Sequence, residues 1–139
     1  VNIPSPATDV IANPSGARIA VVGASNNPDK YGNKIVRTLV DFGFSVIPVN
    51  PSDPEIAGLK ACPDVNAAPG PVDLVNFVTP PSVTARVLDS MDAARFPVVW
   101  FQDGSSDEAC LELARAKFGT VVHGACIMVA VRLHASAQH

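Results

Sequence analysis

Short continuous apolar runs alternate along this chain with stretches whose apolar residues recur every three or four positions, the pattern of strands alternating with helices. Residues 19–22 (Ile-Ala-Val-Val) form a run suited to a strand buried on both faces of a parallel sheet. Residues 31–42 place Ile35, Val36, Leu39 and Val40 on one face at helical spacing, and Gly43 supplies the stop. Residues 44–49, rich in valine and isoleucine and closed by Asn50-Pro51, predict a second strand. Prolines 51, 54, 63, 69 and 71 then break any long element, leaving room for a short strand near 59–62 and a helical turn near 64–68.

The second half repeats the alternation. Residues 72–78 predict a strand that Thr79-Pro80-Pro81 ends, ahead of a helix with Val83, Val87, Leu88 and Met91 on one face. Residues 97–102 predict the next strand, Asp103-Gly104 turns the chain, and Ser105 with Glu108 has the spacing of a capping box for a helix through Lys117. Gly119 ends that helix and residues 120–123 give a last short strand. Residues 124–132 are apolar without a deciding period, and 133–139 read as a flexible tail. At the other end, residues 1–17 hold Pro4, Pro6 and Pro14 and read as an arm packed over the domain edge, with one or two helical turns around 8–12.

This order predicts a single α/β domain over 18–132, a Rossmann-like doubly wound parallel sheet of about five strands with helices on both faces. A 3-2-1-4-5 strand order puts the reversal between the first strand and the 72–78 strand. Ligands of open α/β sheets bind outside the carboxyl ends of strands at such a reversal. The loop 23–25 and the segment 78–81 would then face each other.

Composition fixes the setting. The 139 residues are 47% hydrophobic and 17% charged, globular in character, and no apolar run approaches a membrane span. A net charge of -3 and a pI near 5.4 argue against a general affinity for nucleic acid, so an anionic ligand must be met locally. Cys62, Cys110 and Cys126 have no paired spacing, which suits a reducing, cytoplasmic setting and disfavours zinc. The chain begins at Val1, and no secretory leader pattern opens it.

The chemistry centres on Gly23-Ala24-Ser25-Asn26-Asn27-Pro28. Its first residues carry almost no side chain, so a ligand can approach the backbone, and the following helix aims free N–H groups and its positive dipole end at the loop. An ordinary strand-to-helix turn would look much the same. The loop lacks the second and third glycines of G-x-G-x-x-G, and Asn50 stands where a dinucleotide site places an acid to grip the ribose, which disfavours NAD without removing it as an alternative. No Walker loop, H-E-x-x-H or G-x-S-x-G occurs, and no catalytic residue is assigned.

In order and spacing, Gly23-Ala24-Ser25, Val46-Ile47-Pro48-Val49-Asn50-Pro51, Ile56-Ala57-Gly58, Val72-Asp73-Leu74-Val75, Val78-Thr79-Pro80-Pro81 and Trp100-Phe101-Gln102-Asp103-Gly104 resemble the small stand-alone CoA-binding domain proteins. These are similar to the N-terminal domain of the succinyl-CoA ligase alpha subunit, and the resemblance spans residues 18–131. It implies that Gly23, Ala24 and Ser25 meet a diphosphate and that Asn50 and Pro51 border the adenosine end. Val78, Thr79, Pro80 and Val83 would flank nucleotide and pantetheine, with Gln102 and Gly104 near the next strand end. Lys30 fits the basic residue this family often carries after the first loop, with Lys34 and Arg37 as further counter-charges, and Asn26 and Tyr31 complete the candidate set.

The implied function is non-catalytic binding of CoA or acyl-CoA, as carrier, sensor or regulatory module. The alternatives are another nucleotide-binding protein, NAD(P) included, and a subunit of a CoA ligase. Expected partners are a CoA-type small molecule and a second copy or another enzyme chain, with no nucleic acid and no membrane. The resemblance assigns no catalytic role to His123. It places Cys126 where a thiol-ended ligand would project, so a mixed disulfide with CoA is one reading and a small packing residue the other; Cys62 and Cys110 read as packing residues, Cys110 beside Leu113 and Ala114.

Overall fold

A computed structural model describes residues 3–137. Five parallel strands, β1 (Arg18–Val22), β2 (Ser45–Val49), β5 (Leu74–Phe77), β6 (Val98–Phe101) and β7 (Thr120–His123), form one sheet in the order β2-β1-β5-β6-β7. Ala20 pairs with Ile47 on one side and Val75 on the other, and the direction of winding reverses between β1 and β5. Helices α1 (Ser5–Ile11), α2 (Tyr31–Asp41) and α5 (Ile127–Ala137) cover one face; α3 (Pro81–Ser90), α4 (Glu108–Lys117) and the 3-10 turn Val65–Ala67 cover the other. Ile19–Val22 of β1 and every residue of β5 and β6 are buried because both faces are covered, which is why these runs are continuous and do not alternate.

The short strand expected near 59–62 forms over Leu59–Lys60, but this segment joins the main sheet only through one parallel bridge at Cys62. Cys62 N–H donates to the Pro48 carbonyl and Asn50 N–H to the Cys62 carbonyl, 2.9 Å each, so Cys62 extends the sheet beyond β2 by a single residue. The prolines on either side divert the rest into a hairpin, β3 (Glu55–Ile56) with β4 (Leu59–Lys60), turned through Ala57 and Gly58 at φ 51° and 80°.

Several helix boundaries and faces differ from the sequence expectation. The arm is part of the core, since α1 buries Ala7 and Ile11 against the α5 side of the sheet. The ambiguous segment after β7 is α5, which buries Ile127, Met128 and Val131 and continues to Ala137, so 133–137 is helix; residues 138 and 139 lie outside the described residues. Val40 is 42% exposed, on the shoulder of α2 and off its buried face. On α3 the buried positions are Thr84 and Leu88, with Met91 just beyond, which turns Val83 and Val87 outward to half-buried positions. Cys110 packs with Leu111 and Ala114, while Leu113 is only half-buried.

The cap of α4 is Asp107, whose carboxylate accepts the Cys110 N–H at 2.9 Å; Ser105 is buried, its hydroxyl donating to the Gln102 carbonyl, so the capping box does not form. That accepted N–H holds the Asp107 carboxyl below its usual 3.8.

What fixes the loop after β1 is a glycine inside α2. A Cβ on Gly32 would sit 2.1 Å from the Gly23 carbonyl oxygen and 3.2 Å from Ala24 Cα, so the first turn of α2 lies directly on the loop backbone. Gly23 has φ +98°, with Val78 and Thr79 side chains 2.9 and 3.0 Å from where its Cβ would be. Helix, loop and the end of β5 thus interlock at two positions that tolerate no side chain.

Two outcomes follow. Gly32→Ala should lower stability by about 2 kcal/mol through overpacking, read as a drop of several degrees in Tm, because the clash is with backbone that cannot rotate away. Asp107→Ala should also lower Tm, and the difference from the parent should depend on pH. A depressed carboxyl stabilises the fold above its unfolded pKa and ceases to do so as pH falls through the folded one, so the two proteins should differ at neutral pH and converge as the medium is acidified past the lowered Asp107 pKa. Thermal melts across pH measure both.

Candidate functional site

The reversal between β1 and β5 opens a cavity of about 520 Å³. Gly23, Ala24 and Ser25 line it from the β1 loop, and Lys30 and Tyr31 from the start of α2; Asn50 lines it from the end of β2, and Val78, Thr79 and Pro80 from the end of β5. Nine of the residues expected from sequence therefore meet around one space. Asp29 and Gly32 also border it.

The loop carbonyls are tied down by side chains. Asn50 Nδ2 donates to the Ala24 carbonyl and Asn33 Nδ2 to the Ser25 carbonyl, each at 2.9 Å. Asn50 Oδ1 in turn accepts the Ser52 and Asp53 N–H groups, and Asn33 Oδ1 accepts Arg37 Nε at 2.7 Å. Ser25 Oγ accepts the Asn27 N–H at 3.0 Å, and Asp29 N–H caps back onto Asn27 Oδ1. With the carbonyls held on the protein side, the N–H groups of Ala24, Ser25 and Asn26 have no hydrogen-bond partner among the described residues, and neither do those of Tyr31 and Gly32 in the first turn of α2.

Such a row of unpaired donors at a helix N-terminus has the geometry that favours an anion. Lys30 and Asp29 on the same rim carry opposite charges, so backbone dipoles supply most of the positive potential.

Other expected residues sit in adjoining spaces. A cavity of about 270 Å³ on the α3 side shares Gly23 and Thr79 with the first; Pro51 and Val83 line it, with Val49, Val65 and Val87 as apolar walls and Arg86 at the edge. A smaller one of about 170 Å³ shares Tyr31 and Val78, and holds Gln102, Asp103 and Cys126. Gly104 lies with Gln102 on a third, beside His123, whose Nε2 is 3.1 Å from Arg115 Nη2.

Asn26 stands apart. Its amide bonds the Glu55 carbonyl, Asp53 and the Ala57 N–H, which braces the β3–β4 hairpin and leaves its side chain outside these cavities. Of the expected counter-charges, Arg37 is tied to Asn33 and Lys34 lies 5.6 Å from the Tyr31 ring centroid; neither lines the 520 Å³ cavity. The Asn50 amide is tied to the loop through both ends, Nδ2 to the Ala24 carbonyl and Oδ1 to the Ser52 and Asp53 N–H groups.

Three residues escaped the sequence reading. Gly32 and Asn33 looked like ordinary helix positions, although a glycine in the first turn of a helix costs about 1 kcal/mol against alanine and so signals a packing demand. Arg86 is three residues after Val83 and thus on its face, a placement the helical period could have indicated.

Burial pushes the Cys110 thiol above its usual range and its Sγ lies 3.3 Å from the Pro81 carbonyl, so this cysteine is an inert packing residue. Among the described residues no group of three or more His, Cys, Asp or Glu side chains is placed to hold a metal, and no helix is long and apolar enough to cross a membrane.

Comparison with known proteins agrees with this geometry. The chain is 34% identical over 113 residues to the uncharacterised protein YneT of Bacillus subtilis, covering 81% of this chain and 84% of that one. It is 41% identical over 81 residues to the alpha subunit of the ADP-forming acetate–CoA ligase II of Pyrococcus furiosus, a match that spans 58% of this chain and only 17% of the ligase subunit. A solved structure of a conserved hypothetical protein from Pyrococcus furiosus superposes with a TM-score of 0.75 at 44% identity, over 81% of this chain and 97% of that one. The family model described as a CoA binding domain matches residues 17–132, nearly the whole described structure, and the chain therefore belongs to the CoA binding domain family.

Proposed function

We propose that this protein binds CoA or an acyl-CoA at the reversal between β1 and β5 and serves as a non-catalytic carrier, sensor or regulatory module. The observation that carries the reading is the row of unpaired N–H groups at Ala24, Ser25 and Asn26, created because Asn33 and Asn50 hold the neighbouring carbonyls. The diphosphate lies against those donors and the first turn of α2, with Lys30 alongside. Adenosine enters the apolar cavity between Val49, Val65 and Val83, with Arg86 as counter-charge to the 3′-phosphate. The pantetheine arm leaves past Val78 and Tyr31.

A second reading, a CoA site working for a ligase, is favoured by the 41% identity to the ligase alpha subunit. The two readings share the site and differ in whether another chain completes it. NAD is disfavoured by Asn50, since a carboxylate there would lack the donor that holds the Ala24 carbonyl.

Calorimetric titration with CoA, acetyl-CoA, NAD, NADP and ATP tests the ligand class. Saturable heat with CoA or acetyl-CoA is expected; NAD binding with no response to CoA would reverse the assignment. Ser25→Asp should weaken CoA by about tenfold or more, because a like charge facing the diphosphate costs on the order of 1.4 kcal/mol even when solvated, and unchanged affinity would remove Ser25 from the site. Arg86→Ala should weaken CoA by about fivefold while leaving dephospho-CoA unaffected, the size of one exposed ion pair. Equal losses for both ligands would move the 3′-phosphate elsewhere.

A further inference from the structure

Thr84 places a hydroxyl where the packing of α3 asks only for volume. It is wholly buried, on the face of the helix that also buries Leu88, and a valine would fill the same space. A buried hydroxyl needs a partner. Among the described residues both partners of Thr84 Oγ1 belong to one residue: Thr79 Oγ1 at 2.7 Å and the Thr79 carbonyl at 3.3 Å.

Thr79 is half-buried at the end of β5, and it shares with Gly23 a particular place. These two residues alone line both the cavity of about 520 Å³ and the apolar one of about 270 Å³, so a ligand that occupies the two cavities crosses between them. Thr79 Cγ2 is the atom 3.0 Å from where a Gly23 Cβ would be, while Oγ1 reaches Thr84. The methyl therefore packs on the β1 loop and the hydroxyl turns toward α3.

Each hydroxyl has one hydrogen to donate and can accept two, which leaves two arrangements. In one, Thr79 donates to Thr84 and Thr84 donates to the Thr79 carbonyl, so both hydrogens are used inside the protein. In the other, Thr84 donates to Thr79 Oγ1 and the Thr79 hydrogen is free to point outward. The 2.7 Å contact is a hydrogen bond in both; only the 3.3 Å contact is lost in passing from the first to the second, and it is long for a bond between oxygens. The exchange costs little, and a ligand oxygen, being an acceptor, selects the second arrangement.

We infer that Thr79 donates a hydrogen bond to an oxygen at the ribose–phosphate junction of the ligand, and that Thr84 is the positioning residue that orients this donor from behind. The inference rests on the CoA reading above, in which diphosphate and adenosine occupy the two cavities and the sugar lies between them. Donation from Thr84 into Thr79 Oγ1 strengthens the outward bond, because each hydrogen bond in a chain polarises the next. It also holds the Thr79 side chain in the rotamer that keeps its methyl on the loop.

The test is a double-mutant cycle read by calorimetric titration with CoA on the parent, Thr79→Val, Thr84→Val and the two combined, with Thr84→Ser alongside. Thr79→Val should bind about fivefold more weakly, the effect of one neutral hydrogen bond, and Thr84→Val about threefold more weakly, with the double variant no weaker than Thr79→Val alone. Thr84→Ser keeps the hydroxyl and should bind as the parent does. If Thr84→Val does not fold, Thr84→Ala, which adds no bulk, replaces it in the cycle. Losses that multiply, to about fifteenfold in the double variant, or a loss in Thr84→Ser as large as in Thr84→Val, mean that Thr84 acts on the fold alone. Unchanged affinity in Thr79→Val removes the donor itself. Each of these results overturns the inference and leaves the CoA reading standing, whereas no heat from the parent with CoA overturns both.

Discussion

The site depends on how closely α2 lies on the loop that follows β1. Gly32 meets the Gly23 carbonyl at a distance no Cβ would allow, and Gly23 adopts a left-handed backbone with the end of β5 packed against it. This double contact sets the height of the loop relative to the helix N-terminus and the lateral position of β5. The cavity and the donors that line it are consequences of this packing. Glycine-rich nucleotide loops achieve similar packing with glycines close in sequence; here the two participants are nine residues apart, on either side of a longer turn.

Given that framework, the polar side chains around the loop act in one direction. Asn33 and Asn50 are each bifunctional, donating to a loop carbonyl and accepting elsewhere, so they fix the peptide planes from both sides. Peptide units whose oxygens are bonded inward present their nitrogens outward. An acidic protein can meet a multiply charged anion this way without a basic face, because the positive potential comes from oriented dipoles over a few ångströms and is confined to the cavity.

How much of this was legible in the sequence follows from the range of each interaction. The strands of the sheet could be read because burial on both faces writes a continuous apolar run, as in Val98 to Phe101, and the reversal between β1 and β5 followed from the alternation of elements. The short strand near 59–62 was legible but its pairing was not, because prolines leave Cys62 one bridging position and send Leu59–Lys60 into a hairpin. The capping box was a chemically sound pattern at Ser105 and Glu108, but Asp107, one residue from the helix start, was an equally good acceptor, and Ser105 was drawn into the core by the Gln102 carbonyl. In the site, small residues and the proline-flanked strand end were visible because they are local. Gly32, Asn33 and Arg86 were not, because their roles depend on what α2 and α3 face, which no local pattern states. Asn26 is split between the two: its side-chain amide serves the hairpin, while its backbone N–H, on the loop, stays unpaired among the described residues.

Asn50 draws these points together. From sequence it looked like a gap in a dinucleotide fingerprint, an acid replaced by an amide. In the fold the position must do two opposed things: accept the Ser52 and Asp53 N–H groups that turn the chain after β2, and donate to the Ala24 carbonyl across the cavity floor. A carboxylate performs the first and not the second, and it would set a negative charge beside the carbonyl it should hold. The amide is therefore required by the loop and is not a weakened version of something else. The same bond that turns the Ala24 carbonyl inward leaves the donors beside it unpaired, so this position shapes the cavity through the backbone of the loop it holds.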